Sequence, residues 1–176
     1  RIGDPAVSIE ELIADPVEQV RAMARPGKTH DLIALPCALF PDRRNSAGID
    51  LSNEAALTGL GEALQQSAAI QWTAGDEGKA REIVNPADHR DVVGMVREVT
   101  PEQARAAVAR ANGSNWAATP VAARAAMLER AADAMQVHMP MLIGLAIREA
   151  GKSAANAIAE VREAIDFLRY YAAQAA

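Results

Sequence analysis

The sequence has 176 residues, half of them apolar, and a net charge of −5. That is enough chain and enough apolar surface for one packed domain, and it excludes an intrinsically disordered protein. The acidic balance without a basic patch argues against a nucleic-acid partner, no apolar run is long enough to span a bilayer, and a single cysteine excludes an internal disulfide. No signal-peptide pattern stands at the start, so the expected location is cytoplasmic. The chain opens at Arg1 rather than Met and closes in Ala-rich sequence at Ala176, so it reads as cut from something longer. Aromatic residues are only 3%, and Ala dominates the second half, which predicts closely packed helices.

Ser8 and Glu11 match a capping box that opens a first helix, with Ile9, Leu12, Ile13, Val17 and Val20 as its apolar stripe. Pro16 predicts a break near Asp15. Residues 25–50 read as loop and linker, punctuated by Pro26-Gly27, Pro36, Pro41 and Asn45 to Gly48. Within them Leu32 to Phe40 is expected to lie extended on another surface. Asp50 or Ser52 is the expected cap of a helix over Glu54 to Ile70, with Leu57, Leu60 and Leu64 on one face. Residues 73–80 read as a hinge.

Ile83-Val84, the turn Asn85 to Asp88, and Val92 to Val99 predict a small β-hairpin near 83–99. Thr100-Pro101 starts a helix that stops at Asn112-Gly113, and Thr119-Pro120 repeats that start signal. Val121, Ala125, Leu128, Ala132 and Met135 form the buried stripe of the second of these helices. A helix from about Pro140 to Ala150 ends at Gly151. Ser153 then caps a last helix whose inner side carries Ala157, Ile158, Val161, Ala164, Ile165, Leu168 and Tyr171. The segment is thus mainly α.

Few residues offer chemistry. Cys37 sits in an apolar run with no cation beside it in sequence and reads as a buried structural thiol. His30, His89 and His138 lack metal-ligand spacing, and no metal site is expected. The glycines at 144 and 151, or 75 and 78, form no phosphate-cradling turn, so no cofactor-binding residues are assigned. Arg43-Arg44 reads as a surface salt-bridging pair. On the last helix Glu160 and Glu163 lie three apart, with Asn156, Phe167 and Tyr170 continuing their stripe, and Arg162, Asp166 and Arg169 form a second set that can pair along the helix. Spacing alone makes all of these solvated or ion-paired surface.

Several blocks together resemble one family. Asn85-Pro86-Ala87-Asp88 with Val93-Gly94-Met95-Val96 is similar to the opening hairpin of aldehyde dehydrogenases. Trp116 to Pro120 with Arg124-Ala125 and Leu128, then Arg148-Glu149-Ala150-Gly151-Lys152, resemble the blocks that follow it. The run from Ala157 to Tyr171 resembles the glutamate semialdehyde dehydrogenase branch in the form fused behind a proline dehydrogenase, and Arg43 to Leu51 resembles the connecting segment of that bifunctional family.

The resemblance implies residues 1–80 as a connecting region after a proline dehydrogenase barrel and 81–176 as the incomplete N-terminal portion of an aldehyde dehydrogenase domain, within an α/β parent fold. It implies a parent that oxidises proline with FAD and then the semialdehyde with NAD, and that is a homo-oligomer. The catalytic cysteine, the oxyanion-hole asparagine and the cofactor turns of the family fall beyond this stretch, so no catalytic residue is assigned and the segment alone is expected to be inactive. Cys37 cannot be the nucleophile, because it falls in the connecting segment. Glu163 alone is carried over, as a carboxylate facing the amino-acid end of the aldehyde, where a charge-assisted hydrogen bond suits an α-ammonium. The partners are then the rest of the same polypeptide. A helical scaffold or interaction role is the alternative, and an independent helical domain the third reading. Without the sheet that its helices cover, the isolated chain is expected to fold poorly.

Overall fold

The computed structural model of the protein describes residues 3–175, so both chain ends lie outside the described residues. The chain divides into two compact units, residues 1–35 and 36–176. The first holds two short helices, α1 (Ile9–Ile13) and α2 (Pro16–Ala22). The Ser8 hydroxyl accepts from the Glu11 N–H at 3.1 Å, and Asp15 Oδ1 accepts from the Val17 N–H at 2.8 Å. Pro16, with no N–H to give, opens α2 and divides the two helices as its chemistry requires. Neither helix buries a residue.

The second unit contains α3 (Glu54–Ala68), β1 (Trp72–Ala74), β2 (Lys79–Asn85), β3 (Asp88–Glu98), α4 (Pro101–Asn112), α5 (Val121–Val137), α6 (Met139–Ala150) and α7 (Ala154–Gln174). The strand order is β1-β3-β2, with β1 parallel and β2 antiparallel to β3. The small hairpin is therefore present, but a third strand has joined it. Residues 73–80 are not a hinge: they hold the end of β1, a tight link and the start of β2. Three residues are too few to show a period, so β1 left no alternation to read.

Other expectations shift by a residue or two. Asn53, not Asp50 or Ser52, caps α3, because Asp50 Oδ1 is already taken by the Ser52 N–H and hydroxyl at 2.9 and 2.6 Å. Thr100 caps α4 in a full capping box with Gln103. Thr119 does not cap α5; it closes a single turn at Trp116–Ala118, and Pro120 stands at the cap with no side-chain bond. Leu32 to Phe40 is not extended but a series of turns, with one helical turn at Pro36–Ala38 where the fixed φ of Pro36 favours it. Cys37, in that turn, is half-buried rather than fully buried.

The core lies where α6 meets α3, α5 and α7, built from Leu60, Ala132, Met139, Ile143, Ala157, Ile158, Val161 and Ile165. Alanines at Ala132 and Ala157, both fully buried, let the helices approach closely. Gly151 ends α6 in the left-handed region at φ 65°, a conformation that costs any other residue about 1 kcal/mol or more. On the sheet side Arg148 of α6 donates to Asp91 of β3 through Nη2 at 2.5 Å and Nε at 3.0 Å. This pair, with a further bond from Asn85, holds the Asp91 carboxyl down at about 2. Leu57 and Val121, expected inside, are exposed.

Candidate functional site

The last helix brings together most of the residues singled out from sequence. Ser153 caps α7, its hydroxyl accepting from the Asn156 N–H at 3.3 Å. The buried side runs Ala157, Ile158, Val161, Ile165, Arg169 and Ala172. Tyr171, placed there by spacing, is instead exposed, and the buried run steps four from Ile165 to Arg169 and then three to Ala172.

Glu163 is exposed and makes no hydrogen bond or ion pair among the described residues. Phe167 and Tyr171 stand one and two turns further along the same ridge, both at least half exposed, with rings stacked at 6.1 Å. Tyr170 meets Tyr171 edge-on at 5.2 Å. Glu160 separates from this group: its carboxylate takes an ion pair from Lys152 at 2.6 Å. An unpaired carboxylate next to aromatic faces is an arrangement that accepts an ammonium group and flanks a short hydrocarbon chain.

Arg162, Asp166 and Arg169 do not pair along the helix surface. Arg169 is only 2% exposed and donates through Nη2 to Asp133 of α5 at 2.8 Å. Arg162 and Asp166 turn toward the connecting segment and hold Ser46, which is fully buried. The Ser46 N–H donates to Asp166 Oδ1 at 2.6 Å and its hydroxyl to Oδ2 at 2.7 Å. Arg162 Nε donates to Ser46 Oγ at 3.2 Å. The next residue, Ala47, donates its N–H to Gln136 Oε1 of α5 at 2.8 Å. Arg43, expected to form a surface salt bridge, meets Asp42 at 3.3 Å and also lies 3.8 Å over the Phe40 ring and 5.3 Å from that of Tyr170. Ser46 and Gln136 were missed from sequence. Ser46 was named only as part of the turn-rich run Asn45 to Gly48 and of the block Arg43 to Leu51, without a role of its own, and Gln136 carried no signal.

The remaining candidates stay apart. His30 Nδ1 accepts from the Leu32 N–H at 3.1 Å, and no group of three or more His, Cys, Asp or Glu among the described residues could hold a metal. No helix among them is long and apolar enough to cross a membrane. The turn from β3 into α4 spends its first N–H groups on the Thr100–Gln103 capping box, and Gly144 and Gly151 lie within and at the end of a helix.

The comparisons with known proteins bear on both halves of this arrangement. The bifunctional protein PutA of Rhizobium meliloti is 59% identical over 183 residues, covering 99% of this chain. The chain spans only 15% of that protein's length. Among solved structures, proline utilization A from Bdellovibrio bacteriovorus, inactivated by N-propargylglycine, superposes with a TM-score of 0.68 at 28% identity, over 96% of this chain and 18% of that one. A 1-pyrroline-5-carboxylate dehydrogenase from Thermus with bound NAD gives a TM-score of 0.64 at 27% identity, over 73% of this chain and 27% of that one. The model of the aldehyde dehydrogenase family matches residues 72–176, from β1 to the end of α7. With more than half of its length matched, the chain belongs to the aldehyde dehydrogenase family.

Proposed function

We propose that the chain supplies the connecting region and the first helical part of an NAD-dependent L-glutamate γ-semialdehyde (1-pyrroline-5-carboxylate) dehydrogenase, fused behind an FAD-dependent proline dehydrogenase in a cytoplasmic, homo-oligomeric enzyme. Residues 1–80 are the connecting region and 81–176 the N-terminal portion of the dehydrogenase domain, with β1 lent across that boundary to the sheet. The observation that carries this reading is the match to the bifunctional PutA of Rhizobium meliloti across 99% of the chain, connecting segment included. The NAD-bound Thermus relative supports the cofactor of the whole enzyme. The transfer of hydride belongs to residues outside this chain, so the segment alone oxidises nothing.

Within that enzyme Glu163 takes the α-ammonium of the semialdehyde, and Phe167 and Tyr171 border its hydrocarbon. A charge-assisted bond of this kind is worth about 1.5–3 kcal/mol, roughly ten- to a hundredfold in an equilibrium constant. In the full-length enzyme Glu163→Gln should raise KM for glutamate semialdehyde by about that factor. KM for glutarate semialdehyde, which lacks only the ammonium, should stay the same. Equal effects on both aldehydes would remove Glu163 from substrate recognition. The scaffold reading rests on a different observation, the bonds that tie the connecting segment to α5 and α7, and is compatible with the first for residues 1–80.

A further inference from the structure

Arg162, Asp166 and Tyr170 of α7 are spaced four apart and make one ridge along the helix. Residues 43–48 run along that ridge in the opposite sense: Arg43 against Tyr170, Ser46 against Asp166, and Gly48 against the Arg162 guanidinium, whose nearest atom would lie 3.5 Å from a side-chain carbon at that position. Ile49, just beyond, packs on the helical core. The segment is a strap with an anchor at each turn of α7. The ridge beside it carries Glu163, Phe167 and Tyr171, and Tyr170 touches Tyr171 across the two.

We propose that this strap is a positioning device for the semialdehyde's ammonium subsite, with Ser46 and Asp166 as its positioning residues. The inference rests on the reading of Glu163 as the ammonium acceptor. A helix held at a single point can roll; one held at points four and eight residues apart cannot. Glu163 stands roughly 60° round the helix from Asp166, so a small roll at the strap moves its carboxylate across the mouth of the subsite. The anchor is specific because the Asp166 carboxylate accepts two hydrogen bonds from one residue, the N–H and the hydroxyl of a fully buried serine. Arg162 completes the clasp by donating to the same hydroxyl, so its guanidinium is engaged on the strap side. The consequence is that substrate selectivity depends on a residue of the connecting segment that touches no substrate.

The test is a double-mutant cycle in the full-length enzyme, scored on the preference for glutamate semialdehyde over glutarate semialdehyde in kcat/KM. Ser46→Ala and Asp166→Asn should each lower that preference roughly tenfold, because misplacement of a binding group is felt steeply. KM for NAD and kcat with glutarate semialdehyde should change by no more than about twofold. On a Glu163→Gln background, Ser46→Ala should lower the preference no further, since the strap acts through Glu163. A purely structural strap would instead lower activity on both aldehydes alike, or add its full effect in the double variant, and either result overturns the inference. Loss of preference in Glu163→Gln with none in Ser46→Ala overturns the strap alone. No loss in Glu163→Gln overturns both it and the ammonium assignment.

Discussion

Gly144 illustrates how much of this fold depends on single atoms. It lies mid-helix in α6, where glycine costs about 1 kcal/mol relative to alanine, so its presence needs a reason. The reason is Ser67 of α3, whose Oγ and Cβ would lie 2.6 and 2.7 Å from a Cβ at Gly144. Ser67 cannot easily retreat, because it is buried and its hydroxyl donates to the Met141 carbonyl at 3.0 Å. Overpacking typically costs about 1–3 kcal/mol, more than the helix-propensity gain returns, so Gly144→Ala should lower stability. Urea unfolding of the full-length protein would show it as a lower midpoint, and a raised midpoint would refute the close α3–α6 contact. At this scale the sequence was only half legible. The spacing of Ala157, Ile158, Val161 and Ile165 gave the inner side of α7 correctly, yet the same spacing sent Tyr171 inward and left Arg169 outside. A period reports an angle round the helix; it does not report that Asp133 of α5 waits to receive a guanidinium.

Elements were read best where local chemistry fixes their ends. Pro16, Thr100-Pro101, Gly151 and Ser153 each terminate or start a helix where expected, since the orphan backbone groups there need those residues. The elements that escaped are those fixed by distant partners: β1, which exists through β3, and the turns at 32–40. The tie between α6 and β3 adds a pH dependence to this level. The Asp91 carboxyl, ordinarily near 3.8, is held at about 2 by the bonds from Arg148 and Asn85. A depressed carboxyl contributes its stabilisation above the unfolded value and loses it as pH falls toward the folded one. The sheet-to-α6 contact should therefore weaken between pH of about 4 and about 2. Unfolding midpoints measured across that window should fall more steeply for the wild type than for Asp91→Asn. Parallel curves would mean that the pair contributes nothing to the pH response.

For the molecule as a whole, the balance of covered and uncovered surface decides behaviour. Residues 3–35 bury nothing fully, and in the second unit Trp72, Ile83, Val93 and Met95 line a hollow against Leu145. The Trp72 Nε1 is buried without a hydrogen-bond partner. Val108, Val137, Phe167 and Tyr171 are exposed as well. Apolar area on this scale favours loose, associating states. The 176-residue chain purified alone should bind ANS and melt over a broad range, and trypsin should cut first within residues 3–35, after Arg21 or Lys28 rather than after Arg25, which Pro26 protects. A sharp monomeric transition without dye binding would contradict this. The family was legible because its blocks recur in order along the chain; the strap was not, because nothing in the segment itself announces the helix that receives it.

Ser46 and Asp166 are 120 positions apart. Polypeptides are made from the amino end, so Ser46 leaves the ribosome long before its carboxylate partner has been translated. Packing of α3 on α6 returns the connecting segment to the bundle, so the strap closes by a much shorter path than its sequence separation suggests. A translation product ending short of α7 lacks Arg162 and Asp166, and carries its linker unfastened.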